Sequence, residues 1–217
     1  MVDAKKLFDL ESLVIGNVIS SLYDFSKPGG LSIPNFILPE FRQRLLNEVR
    51  TAVNLFREAP REYGKALQEM DILYIGEADE DKIQGNFPEI QKLVREYSRI
   101  YKRIGNNAGF NDLPNSVGIH RYKKDSLGLT PHLDHTWYIN LISVFVLEGK
   151  APFYVCSDRE KTNSVELESS PGSLILLRAP RSKDEEKYRP MHYLDRVVEE
   201  RYAVIIRQYK EPKNARP

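Results

Sequence analysis

The chain contains only four histidines, which all lie in its C-terminal half: His120, His132, His135 and His192. His132 and Asp134 form a His-x-Asp pair. On a β-strand, residues two apart project from the same face, so this pair could bind one metal ion together. His192 could supply a third ligand from elsewhere in the chain. Two histidines and one carboxylate on one face of an octahedron form the ligand set of non-haem Fe(II) oxygenases.

A His-x-Asp pair also occurs by chance, and each histidine alone could be an ordinary surface or core residue. His135 follows Asp134 directly, so on a strand it would face the other way. We expect it to support the ligand residues or to have a structural role rather than to bind the metal.

Two arginines bracket an apolar segment near the C-terminus, Arg201-Tyr-Ala-Val-Ile-Ile-Arg207. Six residues apart on a strand, Arg201 and Arg207 would share a face. If that face is interior, both guanidinium groups need anionic partners, because an unpaired buried charge is very unfavourable. Two kinds of partner are possible. One is a bound dicarboxylate, which arginine grips through paired hydrogen bonds; the other is a set of nearby carboxylates, namely Glu199, Glu200 and Asp195.

The elements that would position these residues are helices first and strands afterwards. Apolar spacing predicts helices over 5–24, from Pro39 to about Phe56, and from Pro88 to a stop at Gly105. Met70 to Ile75 is a possible strand. Short apolar and aromatic runs then predict strands at 116–123, 139–148, 151–156, 173–178 and 202–209, which is typical of a sandwich or barrel.

The composition suits one domain of 217 residues. The single cysteine, Cys156, excludes an intrachain disulfide and a cysteine-rich zinc site and favours a reducing, cytoplasmic location. No apolar run reaches the roughly 20 residues that a membrane span needs, so we expect no membrane partner. The formal net charge of +1 gives no global field that would attract polyanions.

In order and spacing, these segments resemble the AlkB-like branch of the Fe(II)/2-oxoglutarate-dependent dioxygenases. The resemblance rests on His132-x-Asp134, His192 and Arg201-x5-Arg207, and it spans about residues 88–208. His120-Arg121-Tyr122 is similar to the family's Asn-Arg-Tyr strand, with histidine in place of asparagine. The strands around 142–146 and 171–176 are also similar.

The resemblance implies an α+β fold with a mainly β core, a double-stranded β-helix (jelly-roll) buttressed by N-terminal helices. It implies one dioxygenase domain over 1–217, with a helical, lid-forming part at 1–110 and the jelly-roll core with the metal site at 111–210. Fe(II), 2-oxoglutarate and O2 would be the cofactor and cosubstrates. Independently of the resemblance, we expect the chain to be a monomer.

The resemblance also implies residue roles. His132, Asp134 and His192 would hold Fe(II), and Arg201 would grip the far carboxylate of 2-oxoglutarate. Arg207 would pair with the iron-side carboxylate or the triad region. Tyr122 would donate its hydroxyl to the cosubstrate, whose strand also carries His120.

The substrate remains open at this stage. AlkB-type enzymes oxidatively demethylate alkylated nucleobases, which stack on aromatic side chains once flipped out of the helix. Trp137 and Tyr138, with His135 beside them, could form such a surface, or they could simply pack at a rim. Five basic residues could meet phosphates: Lys123, Lys124, Arg178, Arg181 and Lys183. The alternatives are a hydroxylase of a small molecule or protein side chain, and a non-oxidative metal-binding β-sandwich.

Overall fold

A computed structural model describes residues 7–9, 15–76 and 87–210. Within these ranges lie the helices α1 (Ile15–Leu22), α2 (Pro39–Thr51) and α3 (Pro88–Ala108), with short 3-10 helices at Val53–Leu55 and Lys183–Tyr188. The strands are β1 (Gly30–Ile33), β2 (Arg57–Glu58), β3 (Glu62–Tyr63), β4 (Ala66–Leu67), β5 (Asp71–Gly76), β6 (Ser116–Tyr122), β7 (Leu129–His132), β8 (Tyr138–Lys150), β9 (Phe153–Cys156), β10 (Val165–Leu167), β11 (Leu174–Arg178), β12 (Met191–Leu194) and β13 (Glu199–Tyr209).

The strands form two antiparallel sheets and one small hairpin. The larger sheet has seven strands in the order β1-β11-β8-β13-β6-β5-β2, and the smaller one has four in the order β10-β9-β12-β7. β3 and β4 form the hairpin, which lies against β7 through a hydrogen bond from the Leu67 amide to Thr130 Oγ1. This mainly β arrangement confirms the jelly-roll prediction.

Alternate residues of β13 face two different interiors, as the period of a strand requires. Tyr202, Val204 and Ile206 pack into the cluster beneath the helices. Ala203 and Ile205 point into the space between the two sheets. Each fully buried aliphatic side chain of this kind stabilises the fold by about 1.5–3 kcal/mol. The helices therefore cover one face of the larger sheet and leave its other face for the smaller sheet.

Helix α3 is capped at its N-terminus by a carboxylate of α2 and ends at a glycine. Its N-cap residue makes no side-chain cap hydrogen bond, and Glu48 of α2 instead accepts hydrogen bonds from the amides of Glu89 and Ile90 at 2.8 and 2.9 Å. The carboxylate also suits the positive end of the helix dipole. At the other end, Gly109 adopts a φ of 84°.

The helix predictions were only partly right. The helix predicted at 5–24 begins at Ile15 among the described residues, whereas Phe8 forms an isolated β-bridge with Ile37 and stacks on Phe36 at 4.9 Å. Burial of Phe8 against these partners outweighs its place in the helical pattern. The positions of Leu10 and Val14 lie outside the described residues.

The ends of the next two helices also differ from the prediction. Helix α2 ends at Thr51, so Val53 leaves the apolar face and is exposed. Helix α3 does not stop at Gly105 but continues to Ala108. Gly105 lies where Phe110 packs on the helix, because an added Cβ would stand 2.5 Å from the Phe110 carbonyl oxygen.

The predicted strands all formed, with shifted ends, and the strand at 70–75 is β5. The short strands β7, β10 and β12 of the smaller sheet were not among the predicted runs. The first 110 residues supply β1, β2 and β5 to the larger sheet. Within the described ranges, no helix combines the length and apolar character needed to cross a bilayer.

Candidate active site

A cavity opens between the two sheets, and its lining contains the candidate metal and cosubstrate residues of the sequence analysis. Its polar lining consists of His120, Tyr122, His132, Asp134, His192, Arg201 and Arg207. Apolar side chains from both sheets complete the wall, among them Ile142, Val144, Phe153, Leu177, Leu194 and Ile205. The two sheets thus enclose a pocket in which polar groups converge on an otherwise apolar space, as ligand sites usually do.

His132, Asp134 and His192 converge at one point of this cavity. Each offers one ligand atom, and these atoms lie within 4.8 Å of one another. The two imidazole rings are 4.2 Å apart between centroids, and His192 Nε2 lies 3.5 Å from Asp134 Oδ2. Within the described ranges this is the one cluster of three or more metal-ligating side chains.

The backbone orients both imidazole rings in the same way. His132 Nδ1 lies 3.1 Å from the Thr130 carbonyl oxygen, and His192 Nδ1 lies 3.1 Å from the Pro190 carbonyl oxygen. An imidazole that donates Nδ1–H to a carbonyl carries its lone pair on Nε2. Such a partner fixes the ring for metal binding.

The protonation states also suit a metal. Burial, aided by neighbouring His192, lowers the pKa of His132 to about 3. Burial alone would raise the pKa of Asp134, but its electrostatic interactions with His192, His132, Arg207 and His120 together outweigh burial and hold that pKa below its ordinary value. Neutral imidazole and ionised carboxylate are the forms that bind a cation.

One premise of the sequence argument was wrong. We expected His132 and Asp134 to project from one face of a strand, but β7 ends at His132 and Asp134 follows in the loop. The carboxylate reaches the histidines because the chain turns after the strand. Arg189, which the sequence argument missed, holds this loop by donating a hydrogen bond from Nη1 to the Asp134 carbonyl oxygen.

Arg201 is 1% exposed and is the largest of the fully buried side chains. Its Nη1 donates a hydrogen bond to the Ser169 carbonyl oxygen at 2.9 Å. Among the described residues, no carboxylate lies within 4.0 Å of it. Glu200 instead pairs with Arg121, and Asp195 pairs with Lys161. Burial lowers the pKa of Arg201 to about 10, so the side chain is still a cation at neutral pH.

Tyr122 and His120 line the cavity from β6, next to β13. Tyr122 is the register partner of Arg201, and His120 is the partner of Ala203. The Tyr122 hydroxyl lies 3.4 Å from His120 Nδ1. Burial raises the pKa of Tyr122 to about 12 and, with Arg207, lowers that of His120 to about 3. Tyr122 is therefore a protonated hydrogen-bond donor beside Arg201, and His120 is neutral.

Arg207 lines the same cavity at the other end of the strand. Its guanidinium carbon lies 4.3 Å from the centroid of the Tyr138 ring. Its buried Nε has no hydrogen-bond partner in the described structure. The expectation that both arginines share a face holds, because Arg201, Ala203, Ile205 and Arg207 all line the cavity.

The aromatic residues after the ligand loop pack on one another. His135 stacks on Trp137 at 3.9 Å between centroids, and Trp137 lies edge-on to Tyr138 and Tyr209. Trp137 does not line the cavity. Trp137 is therefore part of an aromatic cluster outside the cavity lining.

Three of the five basic side chains considered for phosphates already have partners. Lys123 pairs with Asp71 at 3.3 Å, and Arg181 pairs with Glu185 at 2.6 Å. Arg178 is buried and donates to the carbonyl oxygens of Tyr188 and Leu22. Lys124 and Lys183 are exposed.

No protein-family model and no curated protein sequence matches the chain. Its fold, however, is similar to solved structures. A prolyl hydroxylase from Trichoplax adhaerens, in complex with a hypoxia inducible factor peptide fragment, is 15% identical with a TM-score of 0.64, and 90% of each chain is covered. A prolyl-4-hydroxylase from Pseudomonas putida is 11% identical with a TM-score of 0.65, covering 89% of this chain and 99% of that one.

A third structure is a full-length protein from Neurospora crassa in complex with alpha-KG, 12% identical with a TM-score of 0.65, covering 90% of this chain and 79% of that one. The same Neurospora protein has also been solved with both alpha-KG and thymine. Another similar structure is described as a 2OG-Fe(II) oxygenase family oxidoreductase from Burkholderia pseudomallei. At these identities the comparisons establish the fold. They do not single out the AlkB-like branch.

Proposed function

We propose that this chain is an Fe(II)- and 2-oxoglutarate-dependent oxygenase. The observation that carries the proposal is one cavity with two unlike features. It holds a cluster of two histidines and one carboxylate, and it also holds a buried arginine with no carboxylate partner among the described residues. A metal ion alone would explain the first feature. A metal ion together with a dicarboxylate, one end of which binds the metal and the other Arg201, would explain both.

The donor set fits Fe(II). Two imidazole nitrogens and one carboxylate oxygen leave coordination positions for other ligands. Bound there with 2-oxoglutarate and O2, iron would supply the oxidative decarboxylation to succinate and CO2 that drives hydroxylation of a C–H bond. The chain orients the imidazoles through the carbonyls of Thr130 and Pro190 and surrounds them with apolar side chains that exclude water.

The residues for 2-oxoglutarate lie on β13 and β6. Arg201 would bind the carboxylate far from the metal, since its Nη1 alone is engaged, by a backbone carbonyl. Tyr122 would donate its hydroxyl to the same cosubstrate, with His120 beside it. The sequence resemblance assigned Arg207 to the iron-side carboxylate or the triad region.

The reaction would be a hydroxylation or an oxidative demethylation. An AlkB-like action on alkylated nucleic-acid bases is one form of this proposal, supported by the sequence resemblance. The cavity and its neighbourhood give it little additional support, because Trp137 lies outside the lining and three of the basic residues are engaged. Hydroxylation of a small molecule or a protein side chain is the alternative form, and it needs neither a base-stacking surface nor phosphate contacts. We also propose a cytoplasmic location, from the single cysteine, and a monomeric chain.

The proposal is tested by the purified full chain with Fe(II), 2-oxoglutarate and O2. We expect slow release of succinate without added substrate, and 2-oxoglutarate binding to the Mn(II)-loaded protein without oxygen. Absence of both would contradict the proposal and leave the non-oxidative metal-binding module. Formaldehyde release from methylated single-stranded DNA or RNA would support the nucleic-acid form.

A further inference from the structure

Strand β8 has two more residues than its partner β13 at a point beside the candidate active site. Arg207 pairs with Ile142, whereas the next residue of β13, Gln208, pairs with Ile139. The two residues of β8 at positions 140–141 therefore have no partner on β13. Such an interruption is a β-bulge, and bulges often redirect a side chain next to a functional site.

The bulge determines where Tyr138 lies. Beyond it, Tyr138 is opposite Tyr209. Without the two extra residues, Tyr138 would lie two positions further along β13, which is about 7 Å away. In its observed place, its ring centroid lies 4.3 Å from the guanidinium carbon of Arg207, and its amide donates a hydrogen bond to the His135 carbonyl oxygen at 3.1 Å. The bulge thus sets one contact of a cavity arginine and closes the turn that follows Asp134.

Asn140 is the residue of the bulge with the special backbone conformation. Its φ is 64°, in the left-handed region that asparagine tolerates better than most residues with a side chain. Its amide donates to the Pro180 carbonyl oxygen at 3.1 Å, and its carbonyl oxygen accepts from the Ala179 amide at 2.9 Å and from the Tyr23 hydroxyl at 2.8 Å. Its side-chain Nδ2 donates to Gln208 Oε1.

The two side-chain amides are buried on the helix side of the larger sheet. Asn140 is 4% exposed and Gln208 is 5% exposed. The hydroxyl of Tyr101 on α3 lies 3.5 Å from Gln208 Oε1, and neither amide residue lines the cavity. A buried amide is costly without a hydrogen-bond partner, so each of the two stabilises the other in this place. Any effect of the pair on the cavity must therefore pass through the backbone.

We infer that Asn140 is a positioning residue for the active site. Its hydrogen bond to Gln208 holds the bulge, and the bulge keeps Tyr138 against Arg207 and closes the turn behind Asp134. The inference rests on the proposed function, because the metal ion and 2-oxoglutarate are the ligands whose binding it affects. Asn140 itself touches neither of them.

Tryptophan fluorescence of the metal-free full chain reports on the bulge directly. Trp137 is the one tryptophan of the sequence and lies edge-on to Tyr138 and Tyr209. The variant is Asn140→Gly, because glycine accepts a positive φ at no steric cost and lacks the side-chain amide. We expect the emission of Trp137 to change, because Tyr138 moves beside it.

Ser143→Ala is the matched control on the same strand. Ser143 is fully buried on the helix side, where its Oγ lies 2.7 Å from the Tyr97 hydroxyl. Its loss also removes a buried hydrogen bond of β8, but at a place where the register is regular. We expect lower stability in this variant with unchanged tryptophan emission and unchanged ligand binding.

Titrations with Mn(II), and then with 2-oxoglutarate in the absence of oxygen, measure the effect on the site. For Asn140→Gly we expect the affinity for Mn(II) to fall by about 10-fold, as when a group that orients a metal ligand is lost. The affinity for 2-oxoglutarate should fall as well. Gln208→Met should have the same effects, and the double variant should lose no more than either single one, because both remove the same hydrogen bond. Circular dichroism and thermal melting check that each variant is folded.

Several results would overturn the inference. Unchanged Mn(II) affinity in folded Asn140→Gly would make the role of Asn140 purely structural, and unchanged emission would show that Tyr138 had not moved. Equal effects in Ser143→Ala would assign them to any buried hydrogen bond of β8, and additive effects of Asn140→Gly and Gln208→Met would separate the two amides. If wild type binds neither Mn(II) nor 2-oxoglutarate, the proposed function fails and the positioning role with it. An altered emission in Asn140→Gly would then still show that Asn140 holds the bulge.

Discussion

His132 on β7 stands directly opposite His192 on β12 in the antiparallel register of the smaller sheet. Residues 60 positions apart in the sequence thus become neighbours through a single strand pair, and the pairing becomes irregular immediately afterwards, before Leu194 and Leu129. Nδ1 of each ring also lies 3.1 Å from the carbonyl oxygen two residues earlier, and this contact fixes the orientation of the ring. The position of both imidazoles is therefore set by backbone geometry, and the carboxylate joins them from the loop.

Replacing a ligand histidine should strongly weaken metal binding. For His132→Ala we expect the affinity for Mn(II) to fall by at least about 100-fold, with loss of 2-oxoglutarate turnover, because two ligands cannot hold the ion as three do. His135→Ala is the matched control, since His135 stacks on Trp137 and should leave metal affinity nearly unchanged. Metal titration by calorimetry makes the comparison. Equal loss in both variants would show that the loop, and not the ligand, was disturbed.

Replacing Arg201 should weaken 2-oxoglutarate binding without lowering the stability of the fold. Arg201→Met should weaken 2-oxoglutarate binding by about 2–4 kcal/mol, roughly 30- to 700-fold, because the ligand carboxylate loses its paired charge. The free energy of unfolding without ligand should stay the same or rise, since a buried cation with no carboxylate partner is replaced by an apolar side chain.

The control for this variant is Arg121→Met on the neighbouring strand. Arg121 pairs with Glu200 at 2.7 Å outside the cavity, so its loss should leave 2-oxoglutarate affinity unchanged. Urea unfolding and ligand titration measure the two quantities. An unchanged affinity in Arg201→Met would refute the proposed role of this residue.

Arg189 should act on the metal through the ligand loop. Arg189→Met removes the hydrogen bond to the Asp134 carbonyl oxygen and the one to the Glu186 carbonyl oxygen. We expect metal affinity to fall by about 10-fold with the fold intact, which is the usual effect of losing a group that orients a ligand. Arg196→Met serves as the control, because Arg196 pairs only with the exposed Asp125 in the described structure. Identical metal affinities in the two variants would exclude a positioning role for Arg189.

Gly149 should tolerate no side chain. It has a φ of 86°, and an added Cβ would stand 2.1 Å from the Glu200 carbonyl oxygen and 2.6 Å from the Arg201 Cα. Gly149→Ala should therefore lower the free energy of unfolding by about 3 kcal/mol or more and weaken 2-oxoglutarate binding by shifting Arg201. Gly64→Ala has the same sign of φ but open space around it, so it should cost only about 1 kcal/mol. Chemical denaturation of both variants tests the difference.

Candidate site residues could be chosen from the sequence because few residues of the right types are present. Four histidines and one His-x-Asp pair limit the possible ligand sets, and a six-residue spacing places Arg201 and Arg207 on one face of any strand. The regular recurrence of apolar runs indicated a sandwich or barrel, and the family resemblance indicated the jelly-roll. These are features of residue type and local period.

Features that depend on tertiary contacts were not predictable. Arg189 looks like an ordinary loop arginine until the loop of Asp134 comes beside it. The first turn of the predicted N-terminal helix was lost because Phe8 found aromatic partners 28 residues away in Phe36. The strands β7, β10 and β12 are three or four residues long, which is too short to carry a recognisable period.

The alternation along β13 also bears on how such a protein can evolve. Tyr202, Val204 and Ile206 contact the helix-side core, whereas Arg201, Ala203, Ile205 and Arg207 contact the cavity. The residues that pack against the helices and the residues that line the cavity thus alternate along one strand. Substitution of a cavity-facing residue such as Ala203 or Ile205 would change the wall of the cavity and leave the layer that packs against the helices in place.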